Sequence, residues 1–188
     1  MNPSINCDEL VSFQLRAAEG WLSRAKQSGD NYGKFLFYFS GFNALFFLWS
    51  KIDHVHGDTN EIKNMLQKFD ETKAQQMLDS VRASVEYFTA REPVGRMDNR
   101  TCQNPYGSDK REGSKWKTIL SDQTRPARDR LVALGEIVYL VRSNLIHGSR
   151  VPVHDSEAIP RCLEPLEVLL EESIELTKQL TSRPIRVT

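Results

Sequence analysis

Cysteine is scarce in this chain: among 188 residues only Cys7, Cys102 and Cys162 carry a thiol, far apart and odd in number. That excludes a disulfide framework and a CxxC zinc pair, and a reducing, cytoplasmic setting is the simpler expectation. A surplus of charge of one sign is missing as well. Lys and Arg total 25 and Asp and Glu total 25, a net charge of zero, which excludes a histone-like polybasic binder but not a local basic groove. Residues 1–20 hold no uninterrupted apolar stretch, because Asp8, Glu9, Arg16 and Glu19 break it, so no secretory signal is visible. The longest uncharged run, Phe35 to Ser50, is sixteen residues and includes Ser40, Gly41 and Asn43. It falls short of the ~20 apolar residues of a spanning helix and reads as the buried centre of a bundle. A soluble protein with no membrane partner is expected. Strand-like alternation and internal repeats are also absent.

What remains is ordinary globular composition, 39% hydrophobic and 27% charged, in a length that suits one domain. Helical periodicity dominates. The spacing predicts helices over about 8–27, 31–52, 59–69, 71–88, 122–147 and 155–182. In the first, Leu10, Phe13, Leu15, Ala17, Trp21 and Leu22 fall near one side. In the fourth, Met77, Val81, Val85 and Phe88 recur every three or four residues, and in the last Leu163, Leu166, Leu170, Ile174, Thr177 and Leu180 face inward. Between the fourth and fifth, the stretch near 91–117 is irregular, rich in Pro, Gly and Asn, with seven basic against four acidic residues. A patternless stretch of that length is unusual in a compact domain. The fold class expected is all-α, a bundle of five or six helices forming a single domain over residues 1–188 with an irregular insertion near 91–117.

Chemistry concentrates at the end of the fifth helix, in Val141-Arg142-Ser143-Asn144-Leu145-Ile146-His147-Gly148. Leu131, Leu134, Val138, Val141 and Leu145 form one stripe of that helix, and Gly135, Tyr139, Arg142 and Ile146 an adjoining one. Two half-apolar faces suggest packing inside the bundle and against something else. At about 100° per residue Asn144 and His147 share a face, whereas Arg142 and His147 lie about 140° apart and flank a groove rather than stack. A guanidinium there must pair, reach solvent or bind an anion. His147 sits at the negative end of the helix dipole, which favours imidazolium and suits proton transfer near neutral pH. Gly148 is a natural helix stop.

Arg142-Ser143-Asn144-Leu145-Ile146-His147-Gly148 resembles the Arg-x-x-x-x-His signature of the HEPN (higher eukaryote and prokaryote nucleotide-binding) domains, in a bacterial form close to Arg-Asn-Asn-Leu-Phe-His-Gly. Gly41-Phe42-Asn43-Ala44-Leu45-Phe46-Phe47-Leu48-Trp49 is similar to the Phe-Asn-Ala-Leu-aromatic run found early in such proteins. Together the likenesses span roughly 31–52 and 122–182. They imply a small HEPN-like helical domain that forms a homodimer and brings two Arg/His motifs to one cleft. They also imply a metal-independent endoribonuclease of toxin–antitoxin, defence or RNA-processing type, with RNA as substrate and no cofactor. On that resemblance His147 is the general acid or base, Arg142 stabilises phosphate charge, and Asn144 orients His147 or the phosphate; Ser143 and Arg150 are candidate substrate-binding neighbours. Ser143 stands where the family more often has Asn, Asp or His. Ser149 stands where one toxin branch has the Tyr that an antitoxin nucleotidyltransferase modifies.

Other readings stand beside this one. A HEPN module without catalysis would use the same cleft to bind RNA, a nucleotide or a protein partner such as an antitoxin. A purely structural bundle would satisfy Arg142 and His147 inside the fold, the imidazole on its own last carbonyls. Asp53-His54-Val55-His56-Gly57-Asp58 reads as a solvated turn rather than a metal site. Gly29-Asp30-Asn31-Tyr32-Gly33-Lys34 is one residue too short for a phosphate loop and lacks the following Ser or Thr. The aromatics of 35–49 read as core. Arg125, Arg128, Arg130 and Arg150 flank the motif helix; they would extend a phosphate-tracking groove, but exposed arginines in a neutral protein are more simply surface.

Overall fold

A computed structural model describes residues 7–91, 111–146 and 157–182. Eight helices, and no strand, occur among them: α1 (Cys7–Gln27), α2 (Asn31–Ile52), α3 (Asp58–Leu66), α4 (Glu71–Ser80), α5 (Arg82–Ala90), α6 (Arg111–Ser121), α7 (Ala127–Ile146) and α8 (Ala158–Thr181). The chain is all-α. It divides into two compact units, the first comprising the residues up to Met65 together with those from Leu166 onward, the second running from Leu66 to Pro165.

In the first unit α1 packs against α2. The turn between them is held by Asp30, whose carboxylate accepts from the Gly33 N–H at 2.7 Å and so caps the first turn of α2. The inward residues of α1 are small: Val11, Ala18 and Ala25 are buried, whereas Phe13 is 61% exposed and Trp21 39%. Phe13 and Trp21, expected with Leu10, Leu15, Ala17 and Leu22 near one side of this helix, are therefore not on its buried side. The reason is the closeness of the helices. A Cβ added at Gly41 of α2 would meet the Ala18 carbonyl oxygen at 3.2 Å and Leu170 Cδ2 of α8 at 2.7 Å, so nothing bulky fits along this seam. Trp21 instead lies at the edge, stacked on Phe37 with centroids 5.7 Å apart, and Arg24 sits over the same Phe37 ring.

Helix α2 carries the largest apolar load. Phe35, Phe42, Leu45 and Leu48 are fully buried, and Phe42 meets Phe46 edge-on at 5.4 Å. Each such side chain contributes about 1.5–3 kcal/mol when taken out of water. The helix is not apolar core all round, however. Leu36, Asn43, Phe47 and Lys51 lie outward on one strip, and the Lys51 ammonium rests 4.8 Å from the Phe47 centroid. By length and composition α2 could cross a membrane, alone in this among the described helices; 56% of its most apolar window is buried. From α8, Leu166, Leu170, Ile174 and Thr177 are buried as expected, but Leu180 is 38% exposed. The Trp49 indole N–H donates to Thr177 Oγ1 at 3.1 Å, and that hydroxyl donates to the Ser173 carbonyl at 2.7 Å. Glu167 and Glu171 of α8 both pair with Lys26 of α1, and Lys178 bridges Glu19 and Glu175. Burial, with Glu167 beside it, pushes the Tyr38 phenol well above its usual range.

The second unit holds α4 to α7 and the first turns of α8. α7 packs on α6 and α4, and α5 on α6. Asp70 caps α4 by accepting from the Lys73 N–H at 2.7 Å. The helix expected over 71–88 is broken at Val81, whose φ of −110° and ψ of 27° leave helical space before α5 starts. The stripe survives the break: Met77, Val81, Val85 and Phe88 are all buried. α7 begins at Ala127, not at 122, because Pro126 disfavours helix in the residue before it and its carbonyl accepts the first N–H groups, from Asp129 and Arg130. The irregular stretch is corrected in part: residues 111–117 belong to α6, and 92–110 lie outside the described residues. The break at Val81 and the extra helix α6 account for eight helices where five or six were expected.

Candidate functional site

Helix α7 is the most thoroughly buried element of the second unit, with Arg130 to Val138 continuously buried. Its first stripe ends in buried Leu131, Leu134, Val138 and Val141, with Leu145 half-buried. The adjoining stripe opens progressively toward the C-terminus. Gly135 is buried, Tyr139 and Arg142 are half-buried, and Ile146 is 49% exposed. Arg142 therefore stands where the helix passes from interior to surface, its stem packed and its position near solvent. Ser143 and Asn144 turn the other way and are 5% and 2% exposed. With that burial, their polar groups can orient neighbours and hold the last turn of α7. His147, Gly148 and Arg150 lie outside the described residues, the helix ending at Ile146.

The arginines that precede the motif do not form a row of uncommitted surface charge. Arg125 pairs with Asp122 at 3.5 Å. Arg128 grips Glu71 of α4 twice, through its guanidinium Nε at 2.6 Å and its backbone N–H at 3.3 Å. That guanidinium holds the Glu71 carboxyl below its usual range. Arg130 is not a surface residue: it is 5% exposed, with Nε donating to the Leu120 carbonyl and one Nη to the Gln75 side-chain oxygen. The expectation of four exposed arginines fails for it. Its register was a readable signal, since Arg130 lies four residues before Leu134 and seven before Ile137, both buried.

A second polar cluster in this unit went unread. Arg91 and Arg161 both place guanidinium carbons over the Tyr87 ring, at 5.3 and 5.5 Å from its centroid. Arg91 also pairs with Glu157, and Lys117 of α6 donates to the Arg91 carbonyl. Burial raises the Tyr87 phenol above its ordinary value, with Glu157 adding and Arg91 opposing. Cys162 is buried nearby on the first turns of α8. In the first unit, the Asp53–Asp58 segment is a turn: His54 takes φ 55°, and Asp53 accepts from the Asn64 side-chain amide at 2.8 Å. Among the described residues no three His, Cys, Asp or Glu side chains gather as metal ligands would.

In comparisons with known proteins the chain matches no family model, no curated protein and no solved structure. The HEPN resemblance therefore rests on the motif residues and the aromatic run themselves.

Proposed function

We propose that the protein is a HEPN-like, metal-independent endoribonuclease acting as a cytoplasmic homodimer, in a toxin or defence role. The observation that carries this reading is the Arg142-x-x-x-x-His147-Gly148 spacing at the C-terminal end of a buried helix, with Arg142 on the stripe that opens toward solvent. In the reaction, one His147 takes the proton from a ribose 2′-OH, and the second His147 of the dimer, as imidazolium, gives one to the leaving 5′-oxygen. The 2′-oxygen bonds to the adjacent phosphorus, the bond to the 5′-oxygen breaks, and the products are a 2′,3′-cyclic phosphate and a 5′-OH. The nucleophile belongs to the substrate, which explains a requirement for RNA over DNA. Arg142 stabilises the charge growing on the phosphate, the larger share of catalysis in such sites. Ser143 and Asn144, buried beside it, act by fixing the last turn of α7, so Asn144 is a positioning residue in this reading.

The test is RNA cleavage in excess EDTA by the full chain, with Arg142→Ala and His147→Ala alongside. Cyclic-phosphate ends should form, and each variant should lose about 10²-fold or more in rate while keeping its helical circular dichroism. Intact RNA with the wild-type chain, or cleavage that survives both substitutions, overturns the enzyme. RNA binding without scission would select the non-catalytic module.

A further inference from the structure

Within the second unit, α4, α5 and the turn between α6 and α7 border an open groove of about 380 Å³. That lies within the ~300–1,000 Å³ of small-molecule sites. Its wall includes Gln75, Arg82, Thr89, Ser121 and Arg130, with Leu78 and Val85 as apolar floor. The buried guanidinium is the feature in need of explanation. Both partners of Arg130, the Leu120 carbonyl and the Gln75 oxygen, are neutral and stand at 3.4 Å. Charge-assisted hydrogen bonds from a guanidinium to an oxyanion run shorter, about 2.7–2.9 Å.

The carboxylates nearby are committed elsewhere. Asp79 accepts from the Gln75 amide at 3.1 Å and from Arg82 at 3.4 Å, which both spends its charge on Arg82 and turns the Gln75 oxygen toward Arg130. Asp122 is held by Thr124 and paired with Arg125, and the Arg130 charge adds only a smaller share to lowering its carboxyl. Glu86, also on the wall, is exposed. Leu120 lies at the C-terminal end of α6, where helix carbonyls carry partial negative charge, and this gives the cation some support. Among the described residues, no carboxylate reaches ion-pair distance of Arg130. Its hydrogen bonds are long and go to neutral acceptors, and the one carboxylate whose charge it feels, Asp122, stands beyond ion-pair distance, so a buried cation here is only partly compensated. Its planar fork is shaped to take an oxyanion through two N–H groups at once.

We infer that this groove is a binding site for a small polar molecule with a terminal oxyanion, phosphate or carboxylate, seated on the Arg130 guanidinium with the Arg82 charge beside it. The site is independent of the nuclease reading, since it uses neither Arg142 nor His147 and its test reads binding alone.

The experiment titrates the full chain with inorganic phosphate and, separately, with succinate, each against chloride at matched ionic strength, following thermal midpoint and calorimetric heat. One of the two anions should raise the midpoint saturably, and which one does identifies the ligand group. Arg130→Lys, which keeps the charge but loses the fork, should weaken that binding by about tenfold or more. Gln123→Trp should do the same by filling the mouth, because Gln123 is an exposed wall residue remote from the core. If Arg130→Lys fails to fold, Gln123→Trp decides alone. No response beyond chloride from either anion, or unchanged binding in the variants that fold, overturns the inference.

Discussion

The two units solve different problems with the same secondary structure. The first is built on shape: an aromatic helix, a seam of small residues at Ala18 and Gly41, and buried polar groups that are hydroxyls of Ser and Thr. Its charges stay at the surface as Lys26 and Lys178 pairs. The second unit takes charge inside. Arg130 and Glu136, the buried side chains of acidic or basic type among the described residues, both lie on α7, as do buried Ser143 and Asn144. Desolvating such groups costs stability that apolar packing would not, so the second unit tolerates on one helix a cost that the first avoids.

Substitutions can break or sharpen this contrast. The largest loss of stability is expected from Phe42→Ala, a fully buried ring in the first unit: about 3–5 kcal/mol in urea unfolding. A much smaller loss would deny that shape is what holds this unit. Thr177→Val should cost about 1–3 kcal/mol, because the Trp49 indole N–H is left buried without its acceptor. Its signature is a shift in tryptophan emission. Lys26→Ala should cost less than about 1 kcal/mol, both it and Glu171 being nearly half exposed and screened by salt. On the other side of the contrast, Glu71→Gln should flatten the acid limb of unfolding. Arg128 lowers the folded carboxyl, so its stabilisation is complete above the ordinary carboxylate range and is lost as pH falls through the depressed value. Thermal midpoints against pH, wild type beside variant, check the sign.

Most of the helices were legible because their apolar residues repeat at helical spacing, and the bounds of α2 at 31 and 52 agree with those expected, the structure adding Asp30 as its cap. The break at Val81 was not, since the stripe of Met77, Val81, Val85 and Phe88 runs through it undisturbed. α6 was hidden by weak patterning, with only Gly113 and Leu120 buried in eleven residues. Phe13 and Trp21 misled because hydrophobicity predicts burial only where there is room, and the α1–α2 seam has none. At the candidate site, the sequence exposed the Arg142 motif but not the inward turn of Ser143 and Asn144, nor the burial of Arg130. Those depend on which neighbours a helix meets, which is tertiary information.

The missing side chain at position 41 has a reach beyond its own helix. Because a methyl group there would strike Leu170 Cδ2 at 2.7 Å and the Ala18 carbonyl at 3.2 Å, a single hydrogen atom sets how near three segments, distant in the chain, can come. Gly41→Ala should therefore cost about 1–3 kcal/mol. Trimming Leu170 alongside it should return only the part owed to the flexible leucine, since the carbonyl belongs to a backbone that cannot yield. Descendants of this chain could exchange many of its phenylalanines before they could change that one hydrogen.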